Sequence, residues 1–291
     1  MMDWFYFSLA SAFFSAIAAI IEKKVLKTEK AFEFTVVLSA FNALLAAMFF
    51  TLVDLTKIPI LTLEVVFFKS VINAFAFLCV MYAIKNLELS ECLPLLALTP
   101  GFVAVLAFAG LGEALSVVEI AGLALLISGV YIHGIGGGQG ILDPFRRFLF
   151  AKGHKYVLAA LALFTFTSVM DKVVLGTFKM EPVAFMVFEN IFYAVAIPAA
   201  FFILGGKAGG LRKTFISSGR LLLVLSAVTI VYRYTYILGV KLGTSVALAL
   251  AVKRTSVFFA VIMAGAIFRE HRIMRRVIAT AMLVAGTLLI A

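Results

Sequence analysis

The chain has 291 residues, 64% of them hydrophobic and 14% charged, with a mean hydropathy of +1.14. A soluble domain carries about 45–50% apolar and about 25% charged residues, so this composition excludes a water-soluble particle and places the chain in lipid. The net charge of +10 could suggest a nucleic-acid partner. However, the Lys and Arg sit mostly in short gaps between apolar runs, where cytoplasmic basic residues normally lie, and nucleic-acid binding is disfavoured.

An apolar segment of about 20 residues crosses the hydrocarbon core as a helix. The sequence predicts five such spans near 4–21, 34–53, 62–84, 90–110 and 117–135. Five more follow near 155–171, 183–204, 219–239, 244–267 and 273–290. The runs are too long and continuous for the roughly 10-residue alternating strands of a barrel. The run Trp4–Ile21 lacks a basic leader and a small-residue cleavage site, and reads as the first mature span. Cys79 and Cys92 both fall inside apolar runs, so no disulfide framework is expected. The longest break, Gly134–Lys155, combines Gly136-Gly137-Gly138 with Arg146, Arg147, Lys152 and Lys155. It lacks the GxxxxGK[ST] pattern of a phosphate-binding loop and reads as a joint between halves.

The two sets of spans repeat. Glu22-Lys23 after span 1 recurs as Asp171-Lys172 after span 6, and Phe41-Asn42 in span 2 matches Glu189-Asn190 in span 7. Tyr82 matches Tyr236, Thr99–Val103 aligns with Ser256–Ala260, Glu113 matches Glu270, and Gly129 matches Gly286. Five spans per half is odd, so the second copy is expected upside down relative to the first. Inverted repeats suit secondary transporters, because exchanging the conformations of the halves exchanges the open side. The expected organisation is residues 1–135 as one repeat, 136–153 as a connection and 154–291 as the other.

At this point the chain resembles the drug/metabolite transporter superfamily, and within it proteins of the EamA type. The resemblance is carried by Leu89–Pro100 through Gly112-Glu113 to Gly122 and Gly129, and by Thr244–Ser256 through Glu270 to Gly286. It implies an all-α integral membrane protein, with ten transmembrane helices as two inverted five-helix repeats around a central cavity. It also implies alternating access without ATP hydrolysis; no cofactor or metal is expected, and the location expected is the cell membrane, with multiple passes. Relatives move amino acids, nucleotide sugars, sugar phosphates and drugs, so the substrate stays open.

Ionisable residues inside a bilayer are costly, about 2.5–3.5 kcal/mol each on insertion scales, and are functional candidates by default. Lys253 and Arg254 lie near the middle of span 9, opposite apolar Leu96 and Ala97 in the first half. Arg233 sits among Tyr232, Tyr234 and Tyr236 in span 8, at a depth matching Glu189 of span 7. An Arg233–Glu189 ion pair is one reading. It would leave Lys253 and Arg254 for an anionic substrate, with Arg254 able to grip a carboxylate or phosphate bidentately. Val252-Lys253-Arg254 also resembles plastid triose-phosphate translocators, whose Lys-Arg pair on the equivalent helix grips phosphate. The further lysine those relatives carry on the fourth helix has no match in Leu93–Leu98.

Asn42 and Asn190 could line the cavity or bond neighbouring helices; Lys69, with Asn73 one turn on, is a weaker candidate, close enough to the start of span 3 to snorkel to the interface. Glu22, Lys23, Asp171 and Lys172 fall at helix ends, where interfacial pairing is expected. Glu189, being deeper, is the better proton-carrier candidate. His133, His154 and His271 stand singly, and no HExxH, GxSxG or paired-carboxylate pattern appears, which disfavours an enzyme. Ser8, Ala12, Ala16 and Ser11, Ser15, Ala19 form small-residue stripes suited to close helix packing. The concentration of Lys and Arg in gaps after odd-numbered spans puts those gaps in the cytoplasm and both termini outside.

The expected function is a secondary transporter of a small anionic or zwitterionic metabolite, as a monomer or homodimer among membrane lipids. The alternatives are an exporter of amino acids or drug-like compounds, a sensor or scaffold, and an integral-membrane enzyme.

Overall fold

In this computed structural model residues 3–99, 101–102, 105, 116–134, 153–242, 252–271 and 273–290 are described. Among them every long element is a helix. They run α1 (Asp3–Leu26), α2 (Ala31–Ala47), α3 (Ile60–Asn86), α4 (Leu89–Leu96) and α5 (Val117–Gly134). The second series is α6 (His154–Lys172), α7 (Pro182–Ile203), α8 (Ala208–Leu242), α9 (Ser256–Phe268) and α10 (Ile273–Ile290). Six of these helices are long and apolar enough to cross a bilayer: α1, α2 with its 3₁₀ continuation to Leu52, α3, α6 with its π-turn to Thr177, α7, and α8 up to Gly239. The chain is a multi-pass membrane protein.

Local chemistry sets the helix ends. Pro182 begins α7, where its missing N–H is no loss. The Glu181 carboxylate accepts from Val183 N and Ala184 N at 3.1 and 3.2 Å. Pro94 lies inside α4, which ends two residues later at Leu96 and leads into a turn at Ala97–Leu98. Span 4 was expected to run to residue 110; most of its second part lies outside the described residues, as do Gly112-Glu113, Thr244–Ala251 and most of the glycine-bearing joint. α8 is the clearest correction. Expected from residue 219, it begins at Ala208, because the break in the chain falls at Gly205-Gly206 and everything after Lys207 can propagate as helix. At 1.5 Å per residue its 35 residues span about 52 Å, well beyond a hydrocarbon core of about 30 Å. The surplus carries Arg212, Lys213, Thr214, Ser217 and Ser218.

The helices pair in a regular way. α1 packs on α8 and α6 on α3; α2 packs on α8 and α7 on α3; α1 packs on α9 and α6 on α4. Adding or subtracting five exchanges the members of each couple, and leaves the α2–α7 and α5–α10 contacts unchanged. The small-residue stripes do what their size permits. Ser8, Ser11, Ala12, Ala16 and Ala19 of α1 are buried, and a Cβ added at Gly239 of α8 would stand 2.5 Å from Ser8 Oγ. α5 and α10 meet the same way, since a Cβ at Gly286 would lie 2.7 Å from the Gly122 carbonyl oxygen.

Candidate functional site

Glu189 is the centre of a buried ionic hub. It lies on α7, only 6% exposed, and its carboxylate is shared between two cations. Lys69 of α3 bonds Oε1, and Arg233 of α8 donates to Oε2 at 2.9 Å. Asn73, one turn beyond Lys69, donates to Oε1 at 3.1 Å and also bonds the Tyr193 hydroxyl. Thr167 of α6 donates to Asn73 Oδ1 at 3.2 Å. Lys69 also pairs with Asp171 at the end of α6, at 2.9 Å, and lies 4.4 Å from the centre of the Phe185 ring. Four helices therefore meet in two cations and two carboxylates, and the charges cancel. That balance lets ions persist in a low-dielectric interior.

The hub corrects the expectation for Lys69. It does not snorkel: the residue is 1% exposed and fully committed to the two carboxylates. The nine residues between Ile60 and Lys69 correspond to about 13 Å of helix, deeper than the stem was expected to escape. The signal lay in the sequence as Lys69 and Asn73 spaced one turn apart, with Asp171 as a further acid at the end of span 6. Asp171, at the end of α6 and partly exposed, pairs as a helix-end acid was expected to, and its partner is Lys69.

Lys253 and Arg254 differ from the hub cations. Val252–Arg254 are helical, Thr255 makes a turn in which its hydroxyl donates to the Val252 carbonyl at 2.7 Å, and α9 starts at Ser256. Lys253 Nζ lies 4.6 Å from the centre of the Tyr236 ring and 5.3 Å from that of Tyr232, a cation–π arrangement. Arg254 Nε is buried without a hydrogen-bond partner. Among the described residues neither side chain has a carboxylate partner. The hub's two carboxylates already face two cations, so among the described residues this pair is an excess of positive charge.

The structure separates the remaining candidates. Asn190 donates to the Met186 carbonyl of its own helix at 2.8 Å, a structural bond, whereas Asn42 Oδ1 is buried and unpartnered. Glu22 contradicts the expected interfacial pairing: it has no hydrogen bond or ion pair among the described residues. Its neighbour Lys23 donates instead to the carbonyls of Ile84 and Leu87, both at 2.5 Å, which closes the end of α3.

One face of the bundle is stitched by ions. The Glu270 carboxylate accepts from Leu89 N and Ser90 N, each at 2.9 Å, and so caps α4 from the α9–α10 turn. The left-handed Arg269, φ 53°, turns the chain there. Arg276 of α10 bonds Glu88 and Ser90 and lies 3.8 Å from Glu91, which His154 approaches at 3.2 Å. Burial opposes ionisation of Glu88, but His271 and Arg276 beside it hold its carboxyl below the usual range. The same balance operates at Glu29, between α1 and α2. Burial raises its pKa, yet the hydroxyls of Ser217, Ser218 and Thr214, donating at 2.6–2.8 Å, bring it below its ordinary 4.5.

No curated protein matches the chain. A solved structure, titled only as the crystal structure of a protein, superposes with a TM-score of 0.63 at 16% identity, covering 98% of this chain and 95% of that one; at that identity it speaks for the fold alone. Residues 2–134 match the EamA-like transporter family. The glycines Gly122 and Gly129, which carry part of the resemblance, are now explained by the close α5–α10 contact. The match takes in a little under half of the chain, and over residues 2–134 the chain is similar to a family of membrane transporters.

Proposed function

We propose that the protein is a secondary transporter that carries a small anionic or zwitterionic metabolite across the cell membrane by alternating access. The observation that carries this reading is the charge excess at Lys253 and Arg254. Lys69 and Arg233 are answered by Glu189 and Asp171, whereas Lys253 and Arg254 have no carboxylate among the described residues. Two unanswered cations inside a membrane protein are costly, and a substrate anion supplies the missing charge. Arg254 offers a fork for a carboxylate or phosphate, and Tyr232 and Tyr236 fix Lys253 beside it. Glu189 and Arg233 hold α7 and α8 in register, with Asn73 braced on them, while Asn42 and Asn190 line the α2–α7 contact.

Residues 1–135 and 154–291, joined by 136–153, act in this proposal as two inverted five-helix repeats. The exchange of helix partners by steps of five supports it, as does the break at Ala97–Leu98 in the fourth span and at Thr255 in the ninth. The basic face, with the gaps after odd-numbered helices, lies in the cytoplasm, and the protein works as a monomer or homodimer among lipids without nucleic-acid partners.

The test is thermal unfolding of the purified protein against phosphorylated, carboxylated, zwitterionic and amine compounds, with Lys253→Ala and Arg254→Ala in parallel. A ligand at about 100 times its Kd stabilises by about 2.7 kcal/mol. Anions or zwitterions are expected to stabilise the wild type and neither variant. Stabilisation by amines alone, equal in the variants, would mean an exporter of cationic compounds; no response to any compound would favour a sensor or scaffold.

A further inference from the structure

We infer that the first turns of α8 and an apolar crevice beside them bind an anionic phospholipid, its headgroup on the cations of α8 and an acyl chain in the crevice. The inference concerns the bilayer and does not depend on the substrate reading above. Between Ile203 and Arg220 the chain carries Lys207, Arg212, Lys213 and Arg220 and no acid. All four cations are exposed, and none makes an ion pair among the described residues. Arg276, on the same face of the bundle, shows the other outcome, since Glu88 and Glu91 answer it.

Two acids pack against this segment, and both are committed elsewhere. Glu29, 7% exposed, accepts the hydroxyls of Thr214, Ser217 and Ser218. Glu33 pairs with Lys30 at 3.4 Å, and a Cβ at Gly210 would stand 3.1 Å from its Oε1. A helix turns about 100° per residue. With Thr214, Ser217 and Ser218 held inward, Arg212, Ile216 and Arg220 form an outward stripe four residues apart, and Lys213 lies beside it. Ile216 is 71% exposed and Phe215 57%. Phe215 stacks on Phe41 of α2 with 5.8 Å between ring centres, so the segment lies along the wall of the bundle. Cations interleaved with exposed apolar side chains suit the headgroup level of a bilayer.

The crevice supplies the apolar half of the site. It runs between α2, α3 and α7 and is lined by Phe32, Ala74, Phe75, Leu78, Ala196 and Ala200. Leu211 of α8 packs against the same apolar cluster as Phe32, Ala74 and Ala196, which sets the crevice beside the cationic stripe. Phe201 joins the two: its ring meets Phe32 edge-on at 5.2 Å and lies 2.4 Å from where a Cβ at Gly206, next to Lys207, would stand. A phosphodiester brings the negative charge that the stripe lacks, and the Arg212 fork suits its two free oxygens. A zwitterionic headgroup carries its own cation into this positive field and is disfavoured. Free phosphate matches the stripe but leaves the crevice unused.

The experiment is native mass spectrometry of the full-length protein in neutral detergent, titrated with dioleoyl phosphatidylglycerol and with dioleoyl phosphatidylcholine. Wild type is compared with Arg212→Gln/Lys213→Gln/Arg220→Gln and with Lys57→Gln/Lys179→Gln, which removes exposed cations at the opposite end of the helices. The substituted side chains are exposed, so the lipid-free thermal midpoints should match wild type. A cation at a membrane surface is worth about fivefold in affinity for anionic lipid, so the triple variant should lose roughly tenfold or more of its phosphatidylglycerol affinity. The control pair should lose little, and phosphatidylcholine should bind wild type and triple variant alike. Ala196→Leu, which fills the crevice, should weaken both lipids equally. Unchanged phosphatidylglycerol affinity in the triple variant, or an equal loss in the control pair, overturns the headgroup site. Unchanged lipid binding in Ala196→Leu overturns the acyl seat. If inorganic phosphate displaces phosphatidylglycerol, the stripe serves a free anion and the lipid reading falls.

Discussion

Two cationic centres flank the tyrosine-bearing stretch of α8, and they are completed in opposite ways. Around Glu189, Lys69 and Arg233 meet two carboxylates, an asparagine and a tyrosine hydroxyl, all from the protein. At the start of α9, among the described residues, Lys253 meets two aromatic rings and no carboxylate, and Arg254 keeps a buried, unbonded Nε. A self-neutralising cluster ties helices together and has nothing left for a ligand. An unneutralised pair spends stability and gains a place for negative charge. The contrast makes the first centre a structural tie and the second the proposed anion site.

The sharpest way to break this comparison is Glu189→Ala. Removing one member of a buried ion network leaves the others uncompensated, at about 3–5 kcal/mol. A fall in the thermal midpoint with loss of folded yield is expected; a midpoint near wild type would mean that the hub is hydrated and that the contrast with Lys253 is false. A second variant, Gly239→Ala, tests whether α8 must lie this close to α1 to present Tyr232. Its new methyl group would stand 2.5 Å from Ser8 Oγ, and overpacking of this kind costs about 1–3 kcal/mol, read as a lower midpoint in size-exclusion thermal stability assays.

A gentler test uses pH. The Glu29 and Glu88 carboxyls are held below their usual value of 4.5. Groups depressed in the folded state stabilise it above the unfolded pKa, and that contribution fades as pH falls through the folded value. The midpoint should therefore decline below about pH 4.5, and Glu29→Gln should flatten part of the decline; an unchanged profile would remove Glu29 from the account. The smallest effect is expected at Lys253→Met. No protein anion is stranded by it, so the ligand-free midpoint should stay within about 1 kcal/mol of wild type or rise. A loss as large as that of Glu189→Ala would show Lys253 to be structural.

Several of these residues were legible early and others were not. The Glu189–Arg233 pair followed from equal depths on neighbouring spans, and the isolation of Lys253 and Arg254 from the lack of an acid in their surroundings. Lys69 was misplaced because a single helix cannot say whether a lysine stem runs outward to the interface or inward to an acid on another helix. Glu22 was misplaced for the opposite reason: its position near a helix end promised a partner, and the neighbouring Lys23 turned to backbone carbonyls instead. The early start of α8 was missed because its polar first turns look like a loop until the Glu29 contacts give them a surface to rest on.

By itself the sequence determined that the chain is helical and lies in lipid, because a long apolar run has no other way to satisfy its backbone. It also supplied the matched segments on which the proposed repeat rests, since self-similarity is a property of the string. Only the tertiary structure decided which charges cancel. Ion pairing depends on side chains from α3, α6, α7 and α8 arriving within 3 Å of one another, and no spacing along one helix encodes that convergence.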